Sequence, residues 1–215
     1  MDGEAAQRVW YVAYGSNLCR DRLMAYLEGT VAPPGPEALG GVEEAGPRAA
    51  RYGAHRGCSD PTPPAADRWL EVAHAVTFRG RSPRWGGGVA FLDLAPSDGV
   101  RSKVRAWLLT VEQVVGLAAQ EAGLPADPEP SLVDSLTAVG ATAPLGGGWY
   151  DTLLRLPDIE GRLALTVTTG QDLPATTPTQ PYLATIAAGR SERPDWTPVS
   201  KAGGGPHRPV RGSAR

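Results

Sequence analysis

The chain has 215 residues, 41% of them hydrophobic, and its 21 basic and 23 acidic residues leave a formal net charge of −2. This length fits one domain with a sizeable core, or one domain followed by a tail. The nearly balanced charge excludes a nucleic-acid footprint over the whole chain, and no apolar run is long enough to cross a membrane. We therefore expect a protein that binds neither nucleic acid nor membrane.

The chain begins Met-Asp-Gly-Glu, without the basic start and apolar stretch of a signal peptide, which predicts a cytoplasmic protein. In that compartment Cys19 and Cys58 are expected to be reduced thiols. We expect a monomer or a homodimer.

The first predicted element is a buried strand over residues 9–14, rich in β-branched and aromatic side chains. Gly15, Ser16 and Asn17 follow it, and then a predicted helix over residues 19–27 with apolar side chains at helical spacing. Glycine allows a turn that other residues resist, and Ser16 or Asn17 is suited to cap the helix. Free N–H groups at such a turn can hold an anion or an oxyanion, so the turn is a candidate ligand site, although an ordinary capped turn has the same pattern.

The next region, residues 28–68, is rich in Pro, Gly and Ala and contains His55, Cys58 and Asp60. Three potential ligands without a second cluster are a weak sign of a metal site, and we predict no metal here. We interpret this region as a loop that shapes specificity.

The rest of the body mixes strands and helices without the regular rhythm of a doubly wound sheet. Strands are predicted at residues 69–78, 88–94 and 103–109, helices at 111–122 and after Ser131, a hairpin at 149–156 and 162–168, and a last helix from near Thr179 that Gly189 ends. Mainly antiparallel strands with peripheral helices predict an α+β fold with a small closed or nearly closed β-barrel.

The end of the chain has a different composition. Residues 190–215 hold six basic residues against two acidic ones and few large apolar groups. We therefore expect one domain over residues 1–190 and a disordered, basic, Gly- and Pro-rich tail over 191–215. Binding of this tail to an anionic partner is the alternative.

Glu121 is the candidate catalytic residue. Thr110 and Gln113 have the spacing of a capping box, so a helix is predicted to begin at Val111, and Gly123 is placed to end it. A carboxylate in the last turn faces the negative end of the helix dipole, where it is unfavourable. Positions that break a local rule are enriched in functional sites, but a solvated surface glutamate has the same pattern.

Four motifs follow one another along the chain. They are Tyr14-Gly15-Ser16-Asn17-Leu18 after an aromatic strand, Trp85-Gly86-Gly87-Gly88-Val89-Ala90 before a strand, Leu117-Ala118-Ala119-Gln120-Glu121-Ala122-Gly123, and Pro181-Tyr182-Leu183-Ala184-Thr185-Ile186-Ala187-Ala188-Gly189 near the end. In this order they resemble the γ-glutamylcyclotransferase-like family. The resemblance spans about residues 9–190 and leaves the region 28–68 unmatched.

The resemblance implies the α+β fold with a small barrel, and an enzyme that acts on a γ-glutamyl small molecule without a cofactor. It implies that Glu121 is the general base. It also implies a substrate-binding loop, which binds the glutamyl part and consists here of Tyr14, Gly15, Ser16, Asn17 and Leu18.

Two further tyrosines match family positions. The resemblance implies that Tyr150 and Tyr182 line the pocket, where either hydroxyl can donate to a substrate carboxylate, although both also fit the pattern of core residues. The chain departs from the family at Leu165-Thr166-Val167, where the resemblance implies another pocket tyrosine.

The reaction that the resemblance implies is intramolecular. The free α-amine of a γ-glutamyl group attacks its own γ-carbonyl, and the attached amine leaves as 5-oxoproline forms. A related amide hydrolase or deacylase would use Glu121 to activate water, and a non-catalytic member would bind a small molecule with Glu121 turned away from the loop. Arg20 and Arg22 are weaker candidates to pair with a carboxylate, and Cys19 is expected to be a packed residue.

Overall fold

The computed structural model describes residues 6–30 and 47–193. Eight strands are present in this part: β1 (Arg8–Ala13), β2 (Ala66–Val72), β3 (Val76–Arg79), β4 (Val89–Leu92), β5 (Ser102–Thr110), β6 (Thr142–Pro144), β7 (Thr152–Ile159) and β8 (Arg162–Thr168). The helices are α1 (Arg20–Glu28), α2 (Pro47–Tyr52), α3 (Val111–Ala122) and α4 (Gln180–Ser191), with 3₁₀ turns at Ser16–Leu18 and Pro130–Ser135. None of these helices is long and apolar enough to span a bilayer.

Six of the strands form one sheet in the order β2-β5-β1-β8-β7-β6, and β3 and β4 form a separate antiparallel pair. Every pairing is antiparallel except that of β1 with β8. The predicted α+β class with mainly antiparallel strands is therefore confirmed. The predicted barrel does not close among the described strands, because β2 and β6 occupy opposite edges of the sheet.

Strand β1 is buried on both faces of the sheet. Val9 and Tyr11 belong to a core cluster that includes side chains of α1 and α3. Trp10 and Val12 belong to a second cluster with side chains of β4 and α4. Because successive side chains of a strand point to opposite faces, β1 is covered on both sides, and its end lies between the two cores.

Helix α3 begins and ends as its sequence predicts. The Thr110 hydroxyl accepts from the Gln113 N–H and the Gln113 side chain accepts from the Thr110 N–H, so the capping box is confirmed. Gly123 has a φ of 69° and caps the C-terminus in the left-handed conformation. Glu121 therefore lies in the last turn, as predicted.

Gly189 was predicted to end α4, but the helix continues to Ser191. A Cβ at Gly189 would lie 2.3 Å from the backbone N of Cys19 and 2.5 Å from the carbonyl carbon of Leu18. Only glycine fits here, because α4 contacts the backbone of the Ser16–Leu18 turn directly. In the sequence, a glycine needed for such a close contact cannot be distinguished from a glycine that caps a helix, so the predicted end of α4 was wrong.

Other boundaries also differ from prediction. The strand predicted at 69–78 is divided between β2 and β3, because the chain turns at His74, whose Nδ1 lies 2.8 Å from the Asp93 carbonyl oxygen. The helix predicted after Ser131 is a 3₁₀ turn, and β6 was not predicted. The tail beyond Arg193 lies outside the described residues, so its predicted disorder stays a prediction.

Candidate active site

A small, partly open cavity lies where β1 ends. Its walls come from β1, the 3₁₀ turn, β4, α3, β8 and α4. The lining residues are Tyr11, Tyr14, Gly15, Ser16, Asn17, Ala90, Glu121, Tyr150, Val167 and Tyr182. Seven of the eight residues that the sequence predicts for the site are thus brought together around one cavity.

Leu18 is the exception. Its side chain is fully buried in the core cluster beneath α4 and does not line the cavity. Leu18 packs the turn onto the core, and its predicted contact with the substrate stays a prediction. Val167, which belongs to the segment Leu165-Thr166-Val167 where the resemblance implies a pocket tyrosine, does line the cavity.

The turn at Gly15, Ser16 and Asn17 keeps free backbone donors. Within the described residues the N–H groups of Ser16 and Asn17 donate to no protein acceptor, whereas those of Leu18 and Cys19 close the 3₁₀ turn. Neither Ser16 nor Asn17 caps α1, whose N-cap is Cys19 without a side-chain bond. The predicted cap is therefore wrong, and the two N–H groups are available to hold an oxyanion.

Gly15 lies at a tightly packed position. A Cβ at this position would lie 3.0 Å from the Tyr182 hydroxyl and 3.2 Å from the Ala90 Cβ. A larger residue would therefore require the Tyr182 hydroxyl or Ala90, both of which line the cavity, to shift by a few tenths of an ångström.

The Asn17 side chain connects the turn with Glu121. Its Nδ2 donates to Glu121 Oε1 at 2.8 Å and lies 3.0 Å from the hydroxyl oxygen of Tyr11. Trp107 Nε1 donates to the Asn17 carbonyl oxygen at 3.0 Å, which fixes the backbone of the turn. Asn17 Oδ1 is buried and has no partner among the described residues, so it is available as an acceptor.

The tyrosines around the cavity differ in what their hydroxyls can do. Tyr14 donates to the Val167 carbonyl oxygen at 2.7 Å and Tyr150 donates to the Ala90 carbonyl oxygen at 2.9 Å, so both hydrogens are used by the protein. Tyr182 instead accepts from the Ala90 N–H at 3.0 Å. Its own hydrogen has no protein acceptor in the described part of the chain. Tyr182 is therefore the best placed of the three to donate to a ligand.

Burial keeps the cavity tyrosines protonated. It raises the pKa of Tyr182 to about 12, with the nearby Glu121 charge acting in the same direction. Burial also raises the pKa values of Tyr11, Tyr14 and Tyr150 well above the ordinary value. These side chains can therefore act as hydrogen-bond donors at neutral pH.

A wider cleft lies next to the cavity and shares Ser16, Glu121, Tyr150 and Tyr182 with it. Arg22, Tyr26, His55, Arg84, Trp85 and Trp149 are among its other lining residues. We call this space the outer cleft. Sequence reasoning missed Tyr11 and Tyr26, because their tyrosine side chains fit an ordinary buried strand and helix face.

The buried side chain of Arg105 stabilises the 3₁₀ turn at Ser16–Leu18. Arg105 on β5 donates to the Leu18 carbonyl oxygen at 3.1 Å, pairs with Asp67 at 2.9 Å and also pairs with Glu192. Glu192 in turn accepts from the Arg20 N–H at 3.0 Å. The turn, β2 and the end of α4 are thus joined through one guanidinium group, which no local sequence pattern reveals.

His55, Cys58 and Asp60 make separate contacts rather than converging on one point. His55 Nε2 contacts Arg22, Cys58 Sγ lies near the Tyr26 carbonyl oxygen, and Asp60 accepts from the Thr62 N–H. Among the described residues no three His, Cys, Asp or Glu side chains are grouped to hold a metal. Cys19 is buried, as expected for a packed residue.

No family model matches the chain. It is similar to a solved γ-glutamyl cyclotransferase, at 16% identity over 86% of this chain and 80% of that one, with a TM-score of 0.47. It is also similar to the crystal structure of an uncharacterized protein from Homo sapiens, at 15% identity over 88% and 82% of the two chains, with a TM-score of 0.48.

The chain is also similar to a histone deacetylase 5 from Arabidopsis thaliana, at 27% identity over 128 residues. The match covers 59% of this chain and 17% of the length of that protein.

Proposed function

We propose that the chain is a γ-glutamylcyclotransferase-type enzyme with Glu121 as its general base. The observation that carries the proposal is the contact between Glu121 and Asn17 beside two free backbone N–H groups. A non-catalytic relative was expected to have Glu121 turned away from the turn. The contact of Glu121 with Asn17 supports the catalytic alternative, because a carboxylate suited to accept a proton and N–H groups suited to hold an oxyanion line one small cavity.

The glutamyl part of the substrate binds in the small cavity at the end of β1. Glu121 takes a proton from the α-ammonium group, and the resulting amine attacks the γ-carbonyl carbon to form the five-membered ring. The N–H groups of Ser16 and Asn17 hold the oxygen of the tetrahedral intermediate, and Tyr182 donates to a substrate oxygen. The carbon–nitrogen bond to the leaving amine then breaks as Glu121 returns its proton to that amine, and the ring nitrogen loses its second proton through the regenerated Glu121 carboxylate to solvent, which leaves the neutral lactam. The products are 5-oxoproline and the free amine.

The test is product analysis on γ-glutamyl amides with a range of leaving amines. An amide with a free α-amine should yield 5-oxoproline, and the same amide with the α-amine acetylated should not react, because acetylation removes the nucleophile. Glu121→Gln serves as the matched control for non-enzymatic cyclisation.

If free glutamate forms without 5-oxoproline, the reaction is hydrolysis rather than cyclisation, and Glu121 activates water. The absence of product from every γ-glutamyl amide in the panel would contradict the proposed function altogether.

A further inference from the structure

The carbonyl oxygens of residues 15–18, in the turn after β1, are all held by hydrogen bonds. The first two accept from backbone N–H groups three residues further along the chain, at 3.2 and 3.1 Å. The last two accept from side chains of β5: the Asn17 oxygen accepts from Trp107 Nε1 at 3.0 Å. The Leu18 oxygen accepts from Arg105 Nη1 at 3.1 Å. Side chains of β5 therefore hold the backbone that carries the two free N–H groups.

A chain of hydrogen bonds leads from Arg105 to the free N–H of Asn17. The Leu18 carbonyl that accepts from Arg105 belongs to the same peptide unit as the N–H of Cys19. That N–H donates to the Ser16 oxygen, and the peptide unit of this oxygen contains the N–H of Asn17. Because each peptide unit is planar, holding its carbonyl also sets the direction of its N–H. A cationic donor at the start polarises the successive hydrogen bonds, which strengthens the last N–H as a donor.

A parallel chain begins at Trp107, two residues further along β5. Its Nε1 holds the Asn17 carbonyl, which shares a peptide unit with the Leu18 N–H. That N–H donates to the Gly15 oxygen, and the Gly15 carbonyl shares a peptide unit with the free N–H of Ser16. Both N–H groups suited to hold an oxyanion are therefore oriented from β5. Of the two chains, the one from Arg105 starts at a charged group.

Arg105 is itself held in one orientation. It is only 5% exposed, and its guanidinium carbon lies 3.7 Å from the ring centre of Trp107 and 5.2 Å from that of Trp69. Its Nε donates to Asp67 at 2.9 Å, and its Nη1 also pairs with Glu192. Two aromatic rings and two carboxylates thus fix the guanidinium group and compensate for its burial.

Glu192 links Arg105 with the two helices beside the turn. It follows α4 directly and is the C-cap residue of that helix. Its two carboxylate oxygens accept from the Arg20 N–H, at 3.0 and 3.3 Å. The N-cap residue of α1, Cys19, makes no capping bond through its side chain, so Glu192 supplies the carboxylate that favours this helix start. Removal of the Glu192 carboxylate should therefore loosen both Arg105 and the start of α1.

We propose that Arg105 and Glu192 are positioning residues for the reaction: Arg105 aligns and polarises the Asn17 N–H, and Glu192 holds Arg105 in place. The inference rests on the proposed function and extends it beyond the cavity, which neither residue lines. A purely structural ion pair would affect stability alone. A positioning pair stabilises the tetrahedral intermediate more than the bound substrate, so its loss lowers kcat more than it raises KM.

Arg105→Met keeps the length of the side chain but removes its charge and all its donors. It should lower kcat by at least about tenfold and change KM by less than about threefold. The reason is that a misaligned oxyanion donor loses part of the effect of a missing one, which is about 100-fold or more. Arg105→Lys keeps the charge and a donor, so it should recover kcat to within about threefold of the wild type.

Arg155→Met is the matched control. Arg155 on β7 also donates to a backbone carbonyl, that of Leu136 at 2.9 Å, and pairs with Asp158 at 3.1 Å. It does not line the cavity, and both of these partners lie outside the turn. Arg155→Met should therefore lower Tm as Arg105→Met does, yet leave kcat within about twofold of the wild type.

Glu192→Ala is the second variant, and it keeps the proposal testable if Arg105→Met does not fold. The Glu192 side chain is partly exposed and Asp67 still pairs with Arg105, so this variant should fold. Its kcat should fall by about threefold or more. An unchanged kcat in Glu192→Ala, or a fall in Arg105→Met no larger than that in Arg155→Met, would overturn the assignment.

A binding measurement separates this proposal from the proposed function. The probe is 2-amino-4-phosphonobutanoate, in which a tetrahedral, anionic phosphonate replaces the γ-carboxyl group of glutamate and mimics the oxyanion without any reaction. In calorimetry, Arg105→Met should weaken binding of the phosphonate by at least about tenfold and binding of glutamate by less than about threefold, whereas Arg155→Met should weaken neither. Selective loss of the phosphonate supports the positioning role even if no amide is turned over. Equal losses for the two compounds, or no binding of the phosphonate to the wild type, overturn it even if 5-oxoproline is formed.

Discussion

Asn17 and Glu121 are 104 residues apart in the chain, yet the Asn17 amide donates to the Glu121 carboxylate at 2.8 Å. This bond connects the turn after β1 with the last turn of α3. Glu121 faces the negative end of its helix, so a hydrogen bond from a neutral amide offsets an unfavourable position without neutralising the charge. The carboxylate is thereby held in one orientation beside the free N–H groups of the turn.

Glu121→Gln should lower the rate of 5-oxoproline formation by at least about 100-fold, because an amide cannot accept the ammonium proton. The fold should be retained, since Gln Oε1 can still accept from Asn17 and the side chain is partly exposed. Steady-state kinetics together with a thermal melt checks both statements. A variant that keeps the wild-type rate would exclude Glu121 as the base.

Asn17→Asp should move the acid limb of the pH–rate profile to higher pH by at least about one unit, because two adjacent carboxylates cannot both ionise readily. The change nearly preserves the side-chain shape but replaces the donor to Glu121 with a negative charge. The profile of kcat/KM between pH 5 and 9 provides the measurement. Asn17→Ala, which removes the donor without adding charge, is the control and should lower activity without this shift.

The sequence predicted the local parts of the site well. The capping box at Thr110 and Gln113 and the left-handed Gly123 depend on neighbouring residues, so the bounds of α3 could be predicted from the sequence. The joining of Asn17 to Glu121 depends on how β1 and α3 pack, and only the family resemblance indicated it. Tyr11 was missed for the same reason, because its role depends on the hydrogen bond that its hydroxyl oxygen accepts from the Asn17 side chain.

The global arrangement was less predictable. The single strand predicted at residues 69–78 covers parts of both β2 and β3, and these strands belong to different sheets, separated by a turn at His74, which contacts the Asp93 carbonyl oxygen. Barrel closure depends on which edge strands meet, and edge pairing leaves no local pattern. The sequence likewise does not predict whether Arg22 has a carboxylate partner, because that depends on the fold.

Tyr182→Phe and Tyr150→Phe should separate structural from functional hydroxyls. Both hydroxyls bond to the backbone of Ala90, so each variant should lose about 1 to 3 kcal/mol of stability. Of these two hydroxyls, only that of Tyr182 has a hydrogen without a protein acceptor among the described residues, so Tyr182→Phe should lower kcat/KM by about tenfold and Tyr150→Phe by less than about threefold. Urea unfolding and kinetics on the same preparations give the two readouts. Equal kinetic losses would remove the distinction.

His55 should contribute to the pH dependence of stability. Its pKa is lowered to about 4 in the folded chain, against about 6.5 when unfolded, so between these values the unfolded state binds more protons. Stability should therefore fall as pH drops from 6.5 toward 4. We compare how much the free energy of unfolding falls between pH 7 and pH 4.5. Because His55 is partly exposed, we expect this fall to be only about 1 kcal/mol smaller in His55→Gln than in the wild type. Urea unfolding at both pH values checks this, and parallel losses would contradict it.

Gly189→Ala should destabilise the protein, although the same change in an unconstrained helix would stabilise it by about 1 kcal/mol. The added Cβ would meet the backbone of Leu18 and Cys19 at 2.5 and 2.3 Å, so α4 or the 3₁₀ turn must move. Overpacking of this kind costs about 1 to 3 kcal/mol, which corresponds to a fall of roughly 2 to 12 °C in Tm for a chain of this size. Since the displaced turn holds the N–H groups of Ser16 and Asn17, kcat/KM should fall as well. Ala187→Ser, on the exposed face of the same helix, is the control and should change neither Tm nor kcat/KM appreciably. A higher Tm for Gly189→Ala would show that α4 does not contact the turn as closely as described.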